Sequence, residues 1–152
     1  MMPCTKRVAI VGNEEAKFTP EGEERALVLI RNLLVPGRII VSGHCHLGGV
    51  DIWAEEEAKK AGLKTLIFPP KNLIWSPGFR ERNIQIAENC DEIHVICVDR
   101  LPSDFKGMRF KECYHCINKE PKRPVHVKSG ACWTANWAIA LGKPAFWHVA
   151  KN

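Results

Sequence analysis

The chain has 152 residues, of which 45% are hydrophobic and 26% charged, a length and balance that suit one domain with a sizeable core. No apolar run approaches the roughly 18 residues needed to cross a membrane, which excludes a transmembrane helix. The formal charge of +5 is concentrated: from Arg100 to Lys128, eight Lys and Arg stand against three Asp and Glu, so the rest of the chain is close to neutral. Such a segment either attracts phosphate or nucleic acid or is a solvated insertion.

Met1-Met2-Pro3-Cys4-Thr5-Lys6-Arg7 leads straight into a strand-like run without a signal-peptide core, so a cytoplasmic location is expected. Lys6 to Val11 alternates as a buried strand and stops at Gly12-Asn13. Thr19-Pro20-Glu21 opens a helix: Thr caps, Pro takes the first turn and acidic residues follow. Its apolar residues recur at helical spacing to Leu34, and Pro36-Gly37 stops it. Arg38 to Ser42 is a second strand, followed by a glycine-rich turn and a helix that closes at Gly62. Lys64 to Phe68 is a third strand, stopped by Pro69-Pro70. A loop with Trp75, Pro77 and Gly78 leads to a helix over 79–89, and Asp91 to Val98 is the fourth strand. Residues 100–128 read as an irregular basic insertion. A helix from Ala131 to Leu141 and a last strand from Ala145 to Val149 complete the chain.

Five strands thus alternate with helices, and the strands are nearly continuous apolar runs, as expected when both sheet faces are covered. The expected fold is α/β: a Rossmann-like, doubly wound, mostly parallel five-stranded sheet in one domain over 1–152. Ligands of such sheets sit beyond the carboxyl ends of the strands. The loops after Val11, Val41, Phe68 and Val98 would share that rim.

The turn Ser42-Gly43-His44-Cys45-His46-Leu47-Gly48-Gly49-Val50-Asp51 joins a strand to a helix start. Glycines there let backbone approach a phosphate, and the first helical N–H groups lack intrahelical partners. This points to phosphorylated small molecules, nucleotides first.

The order of motifs resembles the SLOG superfamily of Rossmann-like nucleotide-binding proteins, which includes the YspA/YpsA-like proteins, the DNA-processing protein DprA and the LOG phosphoribohydrolases. The matching residues are Val8-Ala9-Ile10-Val11-Gly12, Val41-Ser42-Gly43 with Gly48-Gly49-Val50-Asp51, Arg82-Asn83, Asp91, Ser129-Gly130 with Thr134, and Lys143-Pro144. The resemblance implies a nucleotide-like ligand on a rim made by Gly12, Gly43, Gly48, Gly49, Asp51, Arg82, Asn83, Ser129, Gly130 and Thr134. In that picture the loop glycines approach phosphate or ribose and Arg82 pairs with an anion. Asn83 anchors by hydrogen bonds, and the 129–134 turn adds a second helix start. Asp51 also suits a helix first turn on electrostatic grounds alone; for Arg82 the alternative is a surface helix arginine, and the motif context favours the anion partner.

Two departures stand out. His44-Cys45-His46 occupies positions where relatives carry small residues; its side chains either crowd the cradle or face solvent. The LOG enzymes carry Pro-Gly-Gly-x-Gly-Thr-x-x-Glu at the last helix. Alignment on Thr134 puts Ser129 at the Pro and Trp137 at the Glu. Glycosidic cleavage leans on a carboxylate, so no catalytic residue is assigned by that match.

Seven cysteines, an odd number, argue against a complete disulfide framework. Cys90 and Cys97 sit in apolar surroundings and are read as core. Cys113-x2-Cys116-x9-His126-x5-Cys132 offers four ligands for a closed tetrahedral structural zinc site in a segment with little apolar content. His115 is an alternative ligand; a redox pair or unliganded thiols are the other readings.

Three functions follow. The leading one is a nucleotide-binding sensor or binding module. An altered nucleoside-phosphate N-glycosidase, with His44, His46 or Asp51 as acid or base, is the second. A nucleic-acid-binding protein is the third, although Phe105, Phe110 and Tyr114 are few aromatics for a stacking platform. A homo-oligomer is admissible through the five tryptophans, most of which are read as core.

Overall fold

The computed structural model describes residues 5–110 and 112–152. Residues 1–4, where the stretch read as free of a signal-peptide core begins, lie outside the described residues, as does Lys111. Five strands form one sheet: β1 (Arg7–Gly12), β2 (Ile39–Ser42), β3 (Lys64–Ile67), β4 (Glu92–Val98) and β5 (Ala145–Ala150). Their order is β3-β2-β1-β4-β5, and every neighbouring pair is parallel. Between them run α1 (Pro20–Leu33), α2 (Val50–Lys60), α3 (Arg80–Glu88) and α4 (Ala131–Ala140). No described helix is long and apolar enough to cross a membrane.

Alternation along β1 decides the two layers. Val8 and Ile10 point to one face, where they meet Ala26 and Ile30 of α1 and Val50, Trp53 and Ala54 of α2. Ala9 and Val11 point to the other, against Ile86 and Ala87 of α3 and Ala135 and Ala138 of α4. The chain therefore winds to one side of β1 with two helices on one face, then reverses to β4 with two on the other. That reversal opens a crevice between the carboxyl ends of β1 and β4. Cys90 and Cys97 are buried in the α3/α4 layer, as expected.

Helix boundaries follow local chemistry. The Thr19 hydroxyl accepts the Gly22 N–H at 3.0 Å and caps α1, with Pro20 in the first turn. Ahead of α3, Glu81 accepts the Gly78 N–H at 2.7 Å and the Ser76 hydroxyl at 2.9 Å, so the loop expected there ends in an ordered turn, Trp75–Phe79. A short 3-10 turn, Glu15–Lys17, precedes α1 and was not legible in the sequence. One expectation needs correction: the edge strands are not covered on both faces, for Phe146 of β5 is exposed and β3 is more open still. It is an edge strand whose Lys64, Thr65 and Ile67 are exposed, and charged or polar residues at such an edge discourage pairing with another chain.

Residues 99–128 contain no helix or strand among the described residues. The excursion leaves and returns at one place. The Val127 N–H donates to the Val98 carbonyl at 2.9 Å. Asn13, 2% exposed, accepts the Val98 N–H at 3.0 Å and donates its amide to the Lys128 carbonyl at 3.2 Å.

Candidate functional site

A cleft of about 520 Å³ lies at the carboxyl ends of β1 and β4. Of the residues expected on the rim, Gly12, Asp51, Arg82 and Asn83 line it, as do Ser129, Gly130 and Thr134 from the start of α4. Gly43, Gly48 and Gly49 are not among its lining residues.

The loop glycines instead meet other parts of the chain. Gly49 has φ +89, and a Cβ there would lie 2.6 Å from the Glu15 nitrogen and overlap the Asn13 carbonyl. Glycine lets the β1–α1 loop press onto the start of α2, where the Val50 N–H donates to the Asn13 carbonyl at 3.2 Å. A Cβ on Gly43 would lie 2.7 Å from Arg82 Nη1 and 2.9 Å from the Ile86 side chain. The crowding has a purpose: Arg82 donates from Nη1 to the Gly43 carbonyl and from Nε to Asn83 Oδ1 at 2.7 Å. Arg82 thus lines the cleft while spending part of its donor capacity to hold the β2–α2 loop against α3.

The His44-Cys45-His46 segment splits. His44, at φ +51, turns away and its Nδ1 lies 2.7 Å from Glu55 Oε1. Glu55 also accepts the Ser42 hydroxyl at 2.8 Å. Cys45 and His46 line the cleft, and His46 stacks on Phe79 with centroids 5.9 Å apart. Burial pushes the Cys45 thiol above its ordinary pKa, aided by nearby Asp51.

Asp51 is 6% exposed in the first turn of α2. Burial pushes its carboxyl up to about 6, against the pull of Arg82 and of the Cys45 and Gly12 backbone; Glu55 raises it further. Lys17 donates to the Lys128 carbonyl at 3.2 Å, and burial lowers its pKa. Lys17, Arg82 and Lys128 are the cations of the lining, and Glu14 and Asp51 its anions.

Aromatic side chains contribute more than the sequence suggested. Trp53 is a core residue, packed edge-on against Phe18 at 4.8 Å. Trp75 and Trp133 instead line the cleft, edge to face at 5.0 Å, and Trp75 is 49% exposed. Tyr114 and His115 also line it, and the Lys128 ammonium lies 5.5 Å from the Tyr114 ring. Trp137 stacks on Trp133 at 5.3 Å and is not itself a lining residue. These rings come from segments far apart in sequence, so no local motif announces them.

Next to the cleft, Cys113, Cys116, His126 and Cys132 bring their ligand atoms within 4.8 Å of one another, a group that could hold a metal ion. His126 Nδ1 is 2.6 Å from the Pro124 carbonyl. A carbonyl only accepts, so Nδ1 carries a proton and Nε2 is the nitrogen turned to the sulfurs. Nε2 lies 3.5 Å from both Cys116 Sγ and Cys132 Sγ. Trp147 Nε1 donates to Cys132 Sγ at 3.4 Å. Such outer hydrogen bonds orient ligands and fix the imidazole tautomer. His115 belongs to the cleft lining and is not part of this group.

Comparison of the whole fold finds solved relatives at low identity. The molybdenum cofactor carrier protein from Chlamydomonas reinhardtii superposes with a TM-score of 0.61 at 16% identity, over 98% of this chain and 79% of that one. DprA from Streptococcus pneumoniae gives 0.55 at 18%, over 94% of this chain and 50% of that one. DprA from Helicobacter pylori, described for its single-stranded DNA binding, gives 0.54 at 18%, over 93% and 65%. The chain shares the fold of these proteins. It spans only half to two thirds of the DprA chains. No family model matches the sequence, and a search of curated proteins finds no match.

Proposed function

We propose that the cleft holds a nucleotide or nucleotide-derived phosphorylated molecule and that the protein is a binding module for it. The observation that carries this reading is the meeting of aromatic faces with cations in one cleft: Trp75, Trp133 and Tyr114 with Lys17, Arg82 and Lys128. A planar base gains about 1–3 kcal/mol from stacking on an aromatic side chain, and phosphate oxygens take charge-assisted bonds from Arg and Lys. The cleft's 520 Å³ falls within the range of about 300–1,000 Å³ typical of small-molecule sites. The carrier role of the Chlamydomonas protein supports binding rather than turnover. Melting curves across nucleotides, cyclic dinucleotides and ADP-ribose-type molecules test it. A true ligand at about 100 times its Kd adds about 2.7 kcal/mol to stability, and Trp133→Ala should shrink that shift. Flat curves across the whole panel reject the reading.

Two further readings each rest on one feature. Asp51, with its carboxyl near 6 in the cleft wall, could hold or give a proton in N-glycosidic cleavage. Release of free base from nucleoside monophosphates, lost in Asp51→Asn, supports that; no turnover at high enzyme concentration removes it. The Lys128 ammonium beside Phe110 and Tyr114 suits single-stranded nucleic acid. Binding that falls steeply with salt is its signature.

The three cysteines and His126 we assign to structural zinc. Zinc–sulfur and zinc–nitrogen bonds at tetrahedral angles give a sulfur-to-nitrogen edge of about 3.5 Å, the separation of His126 Nε2 from two of the sulfurs, both 3.5 Å. Metal analysis of the purified protein tests this assignment, one zinc per chain being expected.

A further inference from the structure

The zinc ligands and the cleft wall are the same pieces of chain. Cys113 and Cys116 bracket Tyr114 and His115, both of which line the cleft. Cys132 sits between Ala131 and Trp133, which line it too. The first pair lies on the irregular excursion and Cys132 on α4, so one centre would join two walls of different origin.

The excursion's tip is not held in place by regular secondary structure. It has no strand or helix of its own among the described residues, and several of its apolar residues face solvent, Met108 at 75% and Val125 at 88%. The Cys116 N–H turns back to the Cys113 carbonyl at 3.0 Å, and Asn136 of α4 donates to the His115 carbonyl at 2.8 Å. Cys113 and Cys132 are buried in the α3/α4 core, so the cluster ties the tip to that core.

A second observation concerns charge. Arg123 is only 9% exposed and stacks its guanidinium 4.3 Å over the Trp147 ring. Its Nη2 donates to Asn136 Oδ1 at 2.8 Å, while its buried Nε and Nη1 have no partner among the described residues. A buried cation with idle donors is costly unless an opposite charge lies close. Trp147, under the guanidinium, donates to Cys132 Sγ. Three thiolates holding one divalent ion would carry a net negative charge, and Cys132 is one indole ring from the guanidinium. Arg123 matches that charge, and through Asn136 it reaches the His115 carbonyl on the cleft wall.

We infer that the Cys3His centre is a clamp on the cleft: metal bound there fixes Tyr114 and His115 against the first turn of α4, with Arg123 as its buried counter-cation, so the complete binding wall exists only in the metal-loaded protein. The inference rests on the zinc and ligand-binding assignments above. It makes ligand binding dependent on metal supply, although no ligand atom need touch the metal.

Hydrogen exchange on the full chain tests it. The zinc-loaded protein, the chelator-stripped protein, Cys116→Ser and Cys116→His are compared. Loss of metal should speed exchange at least tenfold in 113–119 and in 129–134 together, with β1 and β4 unchanged. Zinc should restore protection in the stripped protein, and Cys116→His, which keeps a ligand, should retain it. Loosening confined to 113–119 overturns the clamp and leaves the zinc assignment standing. Loss of protection throughout the sheet also overturns it, because the metal would then hold the whole fold. A protein that takes up no metal fails the zinc assignment and the clamp with it. AMP, used as a probe, should bind the stripped protein at least about tenfold more weakly, the worth of one lost ring contact. Equal binding to both forms overturns the clamp; binding to neither counts against the nucleotide reading and leaves exchange to decide the clamp. For Arg123, zinc competition against a chromophoric chelator is the readout. Arg123→Met should weaken zinc about tenfold and Arg123→Lys should retain most of the affinity; equal losses in the two would overturn the counter-cation role.

Discussion

At the scale of single residues, Asp51 has the clearest measurable consequence. Its carboxyl titrates near 6 in the folded chain against 3.8 in an exposed one, because burial disfavours the charged form. The folded state therefore holds this proton more tightly than the unfolded state. The stability it contributes is complete below about pH 4 and is lost as pH rises through about 6. Asp51→Asn should remove that dependence and make the protein more stable at pH 7 by up to roughly 3 kcal/mol, with little change at pH 4. Urea unfolding of both proteins from pH 4 to 7 checks this, and parallel stability curves would refute it. The presence of Asp51 in the first turn of a helix was legible from the sequence. Its burial beneath the loop was not, because that depends on where the Gly12 and Cys45 backbones come to rest. The two histidines of the glycine loop make the same point. Periodicity does not say that His44 turns to Glu55 while His46 faces the cleft; the left-handed backbone at His44 decides it.

At the scale of elements, the sequence was a good guide wherever the signal was local. Thr19, Pro20 and the acids after them mark the start of α1, and the Thr19 hydroxyl makes the expected cap. Thr19→Ala should cost about 1 kcal/mol in chemical denaturation. The buried runs of β1 and β4 were equally plain, since each must satisfy two apolar faces at once. The strand–glycine–helix unit around Gly43 was found correctly, but its glycines answer to partners that are distant in sequence. Gly49→Ala should cost at least about 2 kcal/mol, from a backbone conformation that side chains rarely adopt and from overlap with the Asn13 carbonyl. Denaturant midpoints measure that loss; a variant as stable as the parent would show that the two loops are free to part. β3 escaped the expectation of full burial because its apolar residues serve only one neighbour strand at the sheet's edge.

At the scale of the whole molecule, the doubly wound order puts the crevice where the winding reverses, and that much followed from the pattern of strands and helices. The aromatic content of the cleft did not follow: Trp75 and Trp133 meet only because α3 and α4 lie side by side on one face. The Cys and His spacing gave all four members of the cluster, since three of them lie within one excursion and the fourth just beyond it. The buried Arg123 gave no such signal, being one cation among many in a basic segment. The meeting of Val98 and Val127, with Asn13 gripping both sides of the junction, has a consequence for how such a fold can change. The cost of closing a flexible loop grows only slowly with its length, and here the two ends are already joined at the sheet. The intervening chain therefore behaves as an exchangeable panel: apart from the cluster residues and Arg123, it can lengthen, shorten or be rewritten without disturbing the strands below, while each rewriting presents the crevice with a new wall.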